Sequence, residues 1–407
     1  MPPLPHASLL LALLGSHGPS PGSRESAVLV RWDDSLRTVS TSAALRRYEV
    51  LSRQGAGVGG LRRALFLLRR GELGHSGSNL DQVVFEATFE TLSGDRSAWW
   101  TYALSRAYVS MELSHWIPDK PDGTRRPEES FGDAAWRMLR TTLDRDPELT
   151  PARQLLIALL VPGGDRVLRD DQLEPLRREI GRGAPDPDAL LVWARHVRAL
   201  RLYDSALVVF DRAQALGGDR SRLALERART LRALHDTAAA HAAYWDGLAH
   251  LTSAGREMYR YDLAWLIGAD SLAVFDRVPS ADVPAWMHRF WDQRDAAAAN
   301  TPGERLDEDL RRWDVVLARY RVRSPWRRNT HDEIDMFFDN DDCIHRDAAL
   351  YDLLWKLPPH HPGDIRDREL LLDHRGIMYL RHGNPIEVIG GWALHVGPED
   401  FVDGPAA

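Results

Sequence analysis

The chain has 407 residues, of which 44% are hydrophobic and 27% are charged, so it is long enough for two or more domains. Its formal net charge of −7 gives no case for a nucleic-acid partner, which would require a concentrated basic face. The single cysteine, Cys343, excludes an internal disulfide and every metal site built from several cysteines.

The amino-terminal segment resembles a secretory signal peptide over residues 1–22, because a short apolar run at 8–15 (SLLLALLG) precedes small and turn-forming residues. No lysine or arginine precedes the run, no clear Ala-x-Ala cleavage site follows it, and no cysteine is placed for a lipid anchor. We expect an exported protein, periplasmic or associated with the envelope. A cytoplasmic leader is the alternative. We expect no transmembrane segment, because no apolar run is long enough to span a bilayer.

Helical patterns follow from about residue 40 onward. Residues 61–70 and 80–92 form one predicted helix pair, with Val83 and Ala87 on its inner face. A segment with three prolines and a glycine at 115–130 predicts an inserted surface loop. Residues 151–182 add two further helices.

A 34-residue period is the most informative feature of the sequence. It resembles the tetratricopeptide repeat, a helix pair that must stack on copies of itself to hide its apolar stripe. Small residues are expected at the tight helix crossings and an aromatic residue between successive pairs. The matched positions are Ala194, Ala206, Phe210 and Ala213, which recur as Ala228, Ala240, Tyr244 and Gly247.

The repeat predicts a mainly α fold, with a tetratricopeptide-like α-solenoid over residues 23–283 and a concave face that binds a protein or peptide. Four arginines fall on the first helix of their pairs, where such solenoids contact extended segments, and we expect them to bind acidic groups of a partner. They are Arg195 and Arg198, with Arg229 and Arg232 one repeat later. The predicted function is therefore a non-catalytic interaction or scaffold protein without a cofactor.

A second domain is predicted over residues 284–407, where aromatic and charged residues replace the alanine-spaced pairs. Helical spacing is present at 286–322 and at 331–357. Alternating residues at 376–381 and 386–390, joined by a turn, predict a β-hairpin. The expected result is a small α+β domain.

Two separated blocks of this segment resemble the bacterial GWxTD domain family. The opening block contains Arg294 and Asp295, and the closing block, DHRGIMYLRHGNP, contains Asp373, Arg375, Gly376, Tyr379, Arg381, Gly383 and Pro385. The resemblance implies an exported bacterial protein and transfers no catalytic residue. The Gly-Trp-x-Thr that names the family is replaced by ELLL at 369–372, and the chain ends shortly after the closing block, so we expect an incomplete domain.

Opposite charges in the two blocks predict structural clamps, in which Arg294 and Asp295 pair with Arg375 or Arg381. The alternative is a hydrolase whose pocket gathers Asp373 and Arg375 around Arg381 and His382. The triplet Arg381-His382-Gly383 resembles the signature of histidine phosphatases, but no arginine follows it to complete a phosphate pocket.

Two other patterns suggest ligand sites, but the residues around them do not fit such sites. Gly55, Gly57 and Gly60 fit a dinucleotide fingerprint, but the preceding residues are helix-like and charged, which predicts an interhelical turn. The acidic run at 339–342 with Cys343 and His345 lacks the spacing of a calcium loop or a zinc site. We therefore predict no cofactor and no metal.

Overall fold

The computed structural model describes residues 23–52, 59–74, 77–114, 131–161, 167–319 and 379–383. These residues form α-helices and short connections, and no strand occurs within them. The predicted mainly α class is confirmed for this part of the chain.

The first half of the described chain contains eight helices: α1 (Ser23–Arg37), α2 (Ser42–Ser52), α3 (Gly59–Gly74), α4 (Gly77–Leu92), α5 (Ala98–Ser114), α6 (Phe131–Arg145), α7 (Thr150–Leu160) and α8 (Asp170–Ile180). The second half contains eight more: α9 (Pro187–Ala199), α10 (Tyr203–Ala215), α11 (Arg220–Ala233), α12 (Thr237–Ala249), α13 (Ser253–Leu266), α14 (Ala269–Arg277), α15 (Val283–Ala297) and α16 (Glu304–Arg319). A short 3₁₀ turn, Ser280–Asp282, precedes α15.

Local sequence sets where the repeated helices begin and end. Asp186, Asp219 and Thr252 each accept a hydrogen bond from a backbone N–H in the first turn of α9, α11 and α13, which satisfies donors that a helix start leaves free. The turns after α9 and α11 place Arg201 and His235 at φ of 61° and 64°. This left-handed conformation ends a helix, so both pairs turn in the same way.

The small and aromatic residues of the 34-residue period occupy the predicted crossings. Every one of the eight matched positions is buried. Helices α9 and α10 pack on each other, as do α11 and α12. Tyr259 of α13 reaches into the same seam and donates a hydrogen bond to the carbonyl oxygen of Tyr244, at 2.8 Å. All eight positions are therefore in the interior of the packed helices, as the period predicts.

Polar contacts connect residues that lie one repeat apart in the sequence. They run from the amino-terminal helices to α13, and each joins residues separated by 33 or 34 positions. These five contacts therefore have the same spacing as the period of the sequence. The contacts are Arg106 with Glu72, Arg182 with Glu148, Arg222 with Asp188, Arg229 with Asp262, and Thr252 with Asp219.

The hydrophobic core continues across the predicted domain boundary at residue 284. One apolar cluster extends from Leu225 through Val283 to Leu380. Trp313 of α16 is fully buried in this cluster, and α16 packs on α11, while α15 packs on α12. Within the described residues, the helices on either side of the predicted boundary share one core.

The predicted strand at 376–381 is wrong for the residues that the structure describes. Residues 379–382 form a helical turn, in which the N–H of Gly383 donates to the carbonyl oxygen of Tyr379 at 2.8 Å. Neighbouring Tyr379 and Leu380 are both buried, whereas successive residues of a strand point to opposite faces.

Other predictions lie outside the described residues. These are the signal peptide at 1–22, the first two fingerprint glycines, the loop at 115–130, the helix at 331–357 and the strand at 386–390. Gly59 and Gly60, the end of the glycine-rich run, begin α3. None of the described helices is both long and apolar enough to cross a membrane.

We expect Gly247→Ala to lower the free energy of unfolding by about 1–3 kcal/mol, despite the better helix propensity of alanine. A Cβ atom on Gly247 would lie 3.0 Å from the carbonyl oxygen of Ser221 and 3.1 Å from the Cβ of Ala224, and would collide with the hydroxyl of Tyr259. Urea unfolding followed by circular dichroism measures the loss.

Gly60→Ala in α3 is the matched control, because its nearest atoms belong to Trp100 at an ordinary 3.7 Å. We expect this control to be neutral or more stable by up to about 1 kcal/mol. Equal effects of the two substitutions would contradict the close helix crossing at Gly247.

Candidate functional site: a buried arginine and carboxylate network

Glu226 of α11 is the centre of a charged network inside the repeated helices. Its side chain is fully buried. Arg195 Nε lies 2.9 Å from Glu226 Oε1, and Arg198 bonds Oε2 and, at 2.6 Å, the main-chain oxygen of Glu226. Burial by itself raises the pKa of Glu226, but the charges of Arg195, Arg198 and Arg229 hold this pKa well below its usual range. Glu226 is therefore a permanent counter-ion for two arginines of α9.

Arg229, one turn later on α11, extends the network to α13 and α16. Its guanidinium bonds both carboxylate oxygens of Asp262, at 2.5 and 2.7 Å, and lies over the ring of Trp313 at 4.8 Å. Arg232 bonds Asp307 of α16, with Nη2 3.0 Å from Oδ2. Acidic and aromatic side chains of the same chain thus cover Arg229 and Arg232 on α11.

This placement gives no support to the prediction that the four arginines contact an acidic partner. Arg195, Arg198 and Arg229 are only 5–7% exposed, and Arg232 is partly buried against Asp307. An acid from a helix that is not the next one in the chain reaches each guanidinium, and a buried guanidinium must be paired. Their observed role is to hold neighbouring helices together.

Asp262 and Asp309 form a second feature of the network, a pair of buried carboxyl groups on α13 and α16. Burial, opposed by the charge of Arg229, raises the pKa of Asp262 to about 6. Burial and the negative charge of Asp262 raise the pKa of Asp309 to about 8. Carboxyl groups with separated pKa values are typical of acid–base sites. Both residues are less than a tenth exposed, so neither faces bulk solvent.

The residues of the opening GWxTD-like block have structural contacts. Asp295 accepts hydrogen bonds from the backbone N–H groups of Gly303 and Arg305, both at 2.7 Å, at the start of α16. Arg294 lies over the ring of Phe290 at 5.2 Å. Arg381 donates to the carbonyl oxygen of Trp265 at 2.9 Å. The predicted pairing with Arg381 is therefore not formed: Asp295 and Arg381 each bond backbone groups, and Arg294 packs on a ring.

The closing block is described only at residues 379–383. The hydroxyl of Tyr379 lies 3.3 Å from Arg311 Nη1, and Gly383 has a φ of 79° beside the guanidinium of Arg312. His382 is exposed. Asp373 and Arg375 of the predicted clamp and hydrolase pocket lie outside the described residues, as do Gly376 and Pro385 of the closing block. The contact of Arg381 with a backbone carbonyl gives no support to a phosphate-binding role.

A separate network, which the sequence analysis missed, joins α1, α3 and α5. Arg106 bonds Asp33 at 2.6 Å and Glu72 at 2.7 Å, and Tyr102 donates to Asp33 at 2.8 Å. Arg69 bonds Glu72 at 3.0 Å. The available signal was Arg69 and Glu72 at three-residue spacing within the otherwise apolar face of α3, a position where charges must be paired.

No group of three or more histidine, cysteine, aspartate or glutamate side chains within the described residues is arranged to hold a metal ion. Comparisons with known proteins found no matching family model, no matching curated protein and no matching solved structure. The resemblances to tetratricopeptide repeats and to the GWxTD family therefore remain predictions from the residues that carry them.

Proposed function

We propose that the chain is a non-catalytic interaction or scaffold protein whose helix pairs form a tetratricopeptide-like α-solenoid. The supporting observation is the series of polar contacts between residues 33 or 34 positions apart, from Glu72 to Asp262. Stacked repeats that contact their neighbours in one register present an extended, fixed surface. Rigid presentation of that surface to a protein partner is the proposed mechanism.

The pairing and burial of the charged groups also favour a scaffold over an enzyme. Arg195, Arg198 and Glu226 satisfy one another inside the helix stack, as do Asp33 and Arg106 in the amino-terminal half. A catalytic acid or base must reach its substrate, and these groups are buried. Their charges stabilise the stack of helices.

The outer face of α4 is the surface that we assign to the partner. Its inner face buries Val83 and Ala87 completely, as predicted, whereas Phe85 and Leu92 on the other side are each 70% exposed. Phe89 lies between them and is partly exposed. This spacing makes one apolar stripe along two turns of helix, and exposed apolar stripes of this kind are typical of protein-binding surfaces. We propose a partner that covers this stripe with apolar side chains of its own.

Photo-crosslinking tests this assignment. We expect a photoreactive phenylalanine analogue at Phe85 or Leu92 to yield one discrete adduct in the native organism, because both positions face the same partner. The same residue at Val208 of α10, which is 68% exposed, is the matched control and should yield none. No adduct at Phe85 and Leu92, or equal adducts at all three positions, would contradict the proposed surface.

Export and the GWxTD-like character of residues 284–407 belong to the same proposal. Their support is the signal-like segment before residue 23 and the two sequence blocks around Asp295 and Arg381. Cell fractionation of a carboxy-terminally tagged chain, with amino-terminal sequencing of the product, distinguishes an exported mature protein from a cytoplasmic one.

A further inference from the structure

Asp309 holds an unusual position on the inner side of α16. Its side chain is 6% exposed, and its Oδ1 atom has no hydrogen-bond partner among the residues that the structure describes. On the same helix, Asp307 bonds Arg232 of α11, and Trp313 lies under the guanidinium of Arg229. Asp309 is thus an acidic side chain that forms no ion pair with the described residues. It lies on α16 between Asp307 and Trp313, the two residues that contact α11.

The charged and titratable groups facing Asp309 come from every helix packed around it. Arg229 bonds Asp262, and Arg312 bonds Glu308 and the carbonyl oxygen of Leu380. Arg294 lies over the ring of Phe290; burial lowers its pKa, and the charge of Asp309 opposes that shift without a direct ion pair. The remaining neighbours are an acid and a phenol that add no positive charge. The groups with the largest influence are Arg229 on α11, Tyr244 on α12, Asp262 on α13, Arg294 on α15 and Arg312 on α16 itself.

We propose that Asp309 is a proton-linked latch, which holds α16 against α11 while its carboxyl group is protonated and loosens α16 when that proton is lost. A neutral carboxyl group can remain at this nearly buried position at modest cost. A carboxylate there would be a buried charge close to Asp262 without an ion pair of its own, and such charges are strongly unfavourable.

The direction of the pH dependence follows from proton binding in the two states. With α16 in place, burial and the charge of Asp262 raise the pKa of Asp309 to about 8. In an opened state the carboxyl group is hydrated, and its pKa returns to about 4. Opening therefore releases a proton between these values, so the opening constant rises as pH rises, by up to about tenfold per pH unit, and levels off above about pH 8.

Hydrogen exchange of the α16 amides in the full chain tests the latch. After correction for the intrinsic pH dependence of exchange, protection of α16 in the unchanged protein should fall by up to about tenfold per unit between about pH 5.5 and 8. Asp309→Asn keeps the shape of the protonated side chain and cannot ionise, so its protection should be independent of pH above about pH 6, the pKa of Asp262, and higher than that of the unchanged protein at pH 8.

Asp307→Asn is the matched control, because Asp307 lies on the same helix but is already paired with Arg232. It should weaken α16 equally at every pH in this range and keep the slope of the unchanged protein. If the protection of the α16 amides in the unchanged protein does not vary with pH, that result alone would overturn the proposal. An undiminished slope in Asp309→Asn, or lower protection than the unchanged protein at pH 8, would overturn it as well.

Discussion

Glu226→Gln should lower the free energy of unfolding by about 3–5 kcal/mol, the range for removing one partner of a buried ion pair. The glutamine keeps the size of the side chain and removes its charge. Arg195 and Arg198 would then remain as buried cations facing each other across a neutral amide. Chemical unfolding at neutral pH, followed by circular dichroism, measures the loss.

Glu174→Gln is the matched control, since the same change is made in an exposed pair. Glu174 bonds Arg178 one turn later on α8, and both side chains are about half exposed. Such surface pairs contribute no more than about 1 kcal/mol. Equal losses in the free energy of unfolding for the two variants would show that the buried Glu226 pairs contribute no more than an exposed pair.

The pH dependence of the Glu226 variant gives an independent signature. The arginines hold the folded-state pKa of Glu226 below its usual range, so its stabilising contribution is fully present above about pH 4.5 and is lost as pH falls below that. The difference between the unchanged protein and Glu226→Gln should therefore be constant near neutral pH and shrink in acid. A difference that grows as the pH falls would contradict the assigned role.

Arg106→Met should have an effect of similar size, about 3–5 kcal/mol, in the amino-terminal half of the chain. Methionine replaces much of the packing of the arginine stem but leaves Asp33 and Glu72 without their shared cation. Arg63→Met is the matched control, because the side chain of Arg63 is 54% exposed and lies 3.7 Å from Glu86. The control should lose no more than about 1 kcal/mol.

The pH effect has the same sign for this second variant, and its cause is the carboxyl group that is left behind. Burial raises the pKa of Asp33, and the charges of Arg106 and Arg37 outweigh burial, so the net shift is downward. Without Arg106, burial acts against a weaker opposing charge and the pKa rises. The stability deficit should therefore be larger at pH 7 than at pH 4, because an unpaired buried carboxyl group is tolerated best when protonated. Thermal unfolding at the two pH values measures this, and an equal deficit at both would contradict the bridging role of Arg106.

The packing of the repeats could be predicted because it depends on residue size at a fixed spacing. Ala194 and Ala228, with Phe210 and Tyr244, recur at one period, and each lies in the interior of the packed helices, as predicted. The strand predicted at Tyr379 and Leu380 failed because alternation over a few residues cannot be told from a helical turn buried on several sides. In that place the core formed by α13 and α16 decides the conformation.

Charged residues were predicted less well, for a related reason. Exposed and buried charged residues are of the same types. Their spacing along one helix does not show which acid of another helix will contact them. Arg195 and Arg229 were assigned to a partner, yet they meet Glu226 and Asp262 of this chain. Asp295 was expected to meet a cation and instead receives two backbone N–H groups.

The sequence by itself determined the helical class, the pairing of helices and the small residues at their crossings, because periodicity and side-chain volume are local properties. Only the tertiary structure decided which charges are buried, which acids are paired and where α16 lies. Those outcomes depend on desolvation and on partners from distant parts of the chain, as with Arg232 and Asp307 or Arg106 and Asp33.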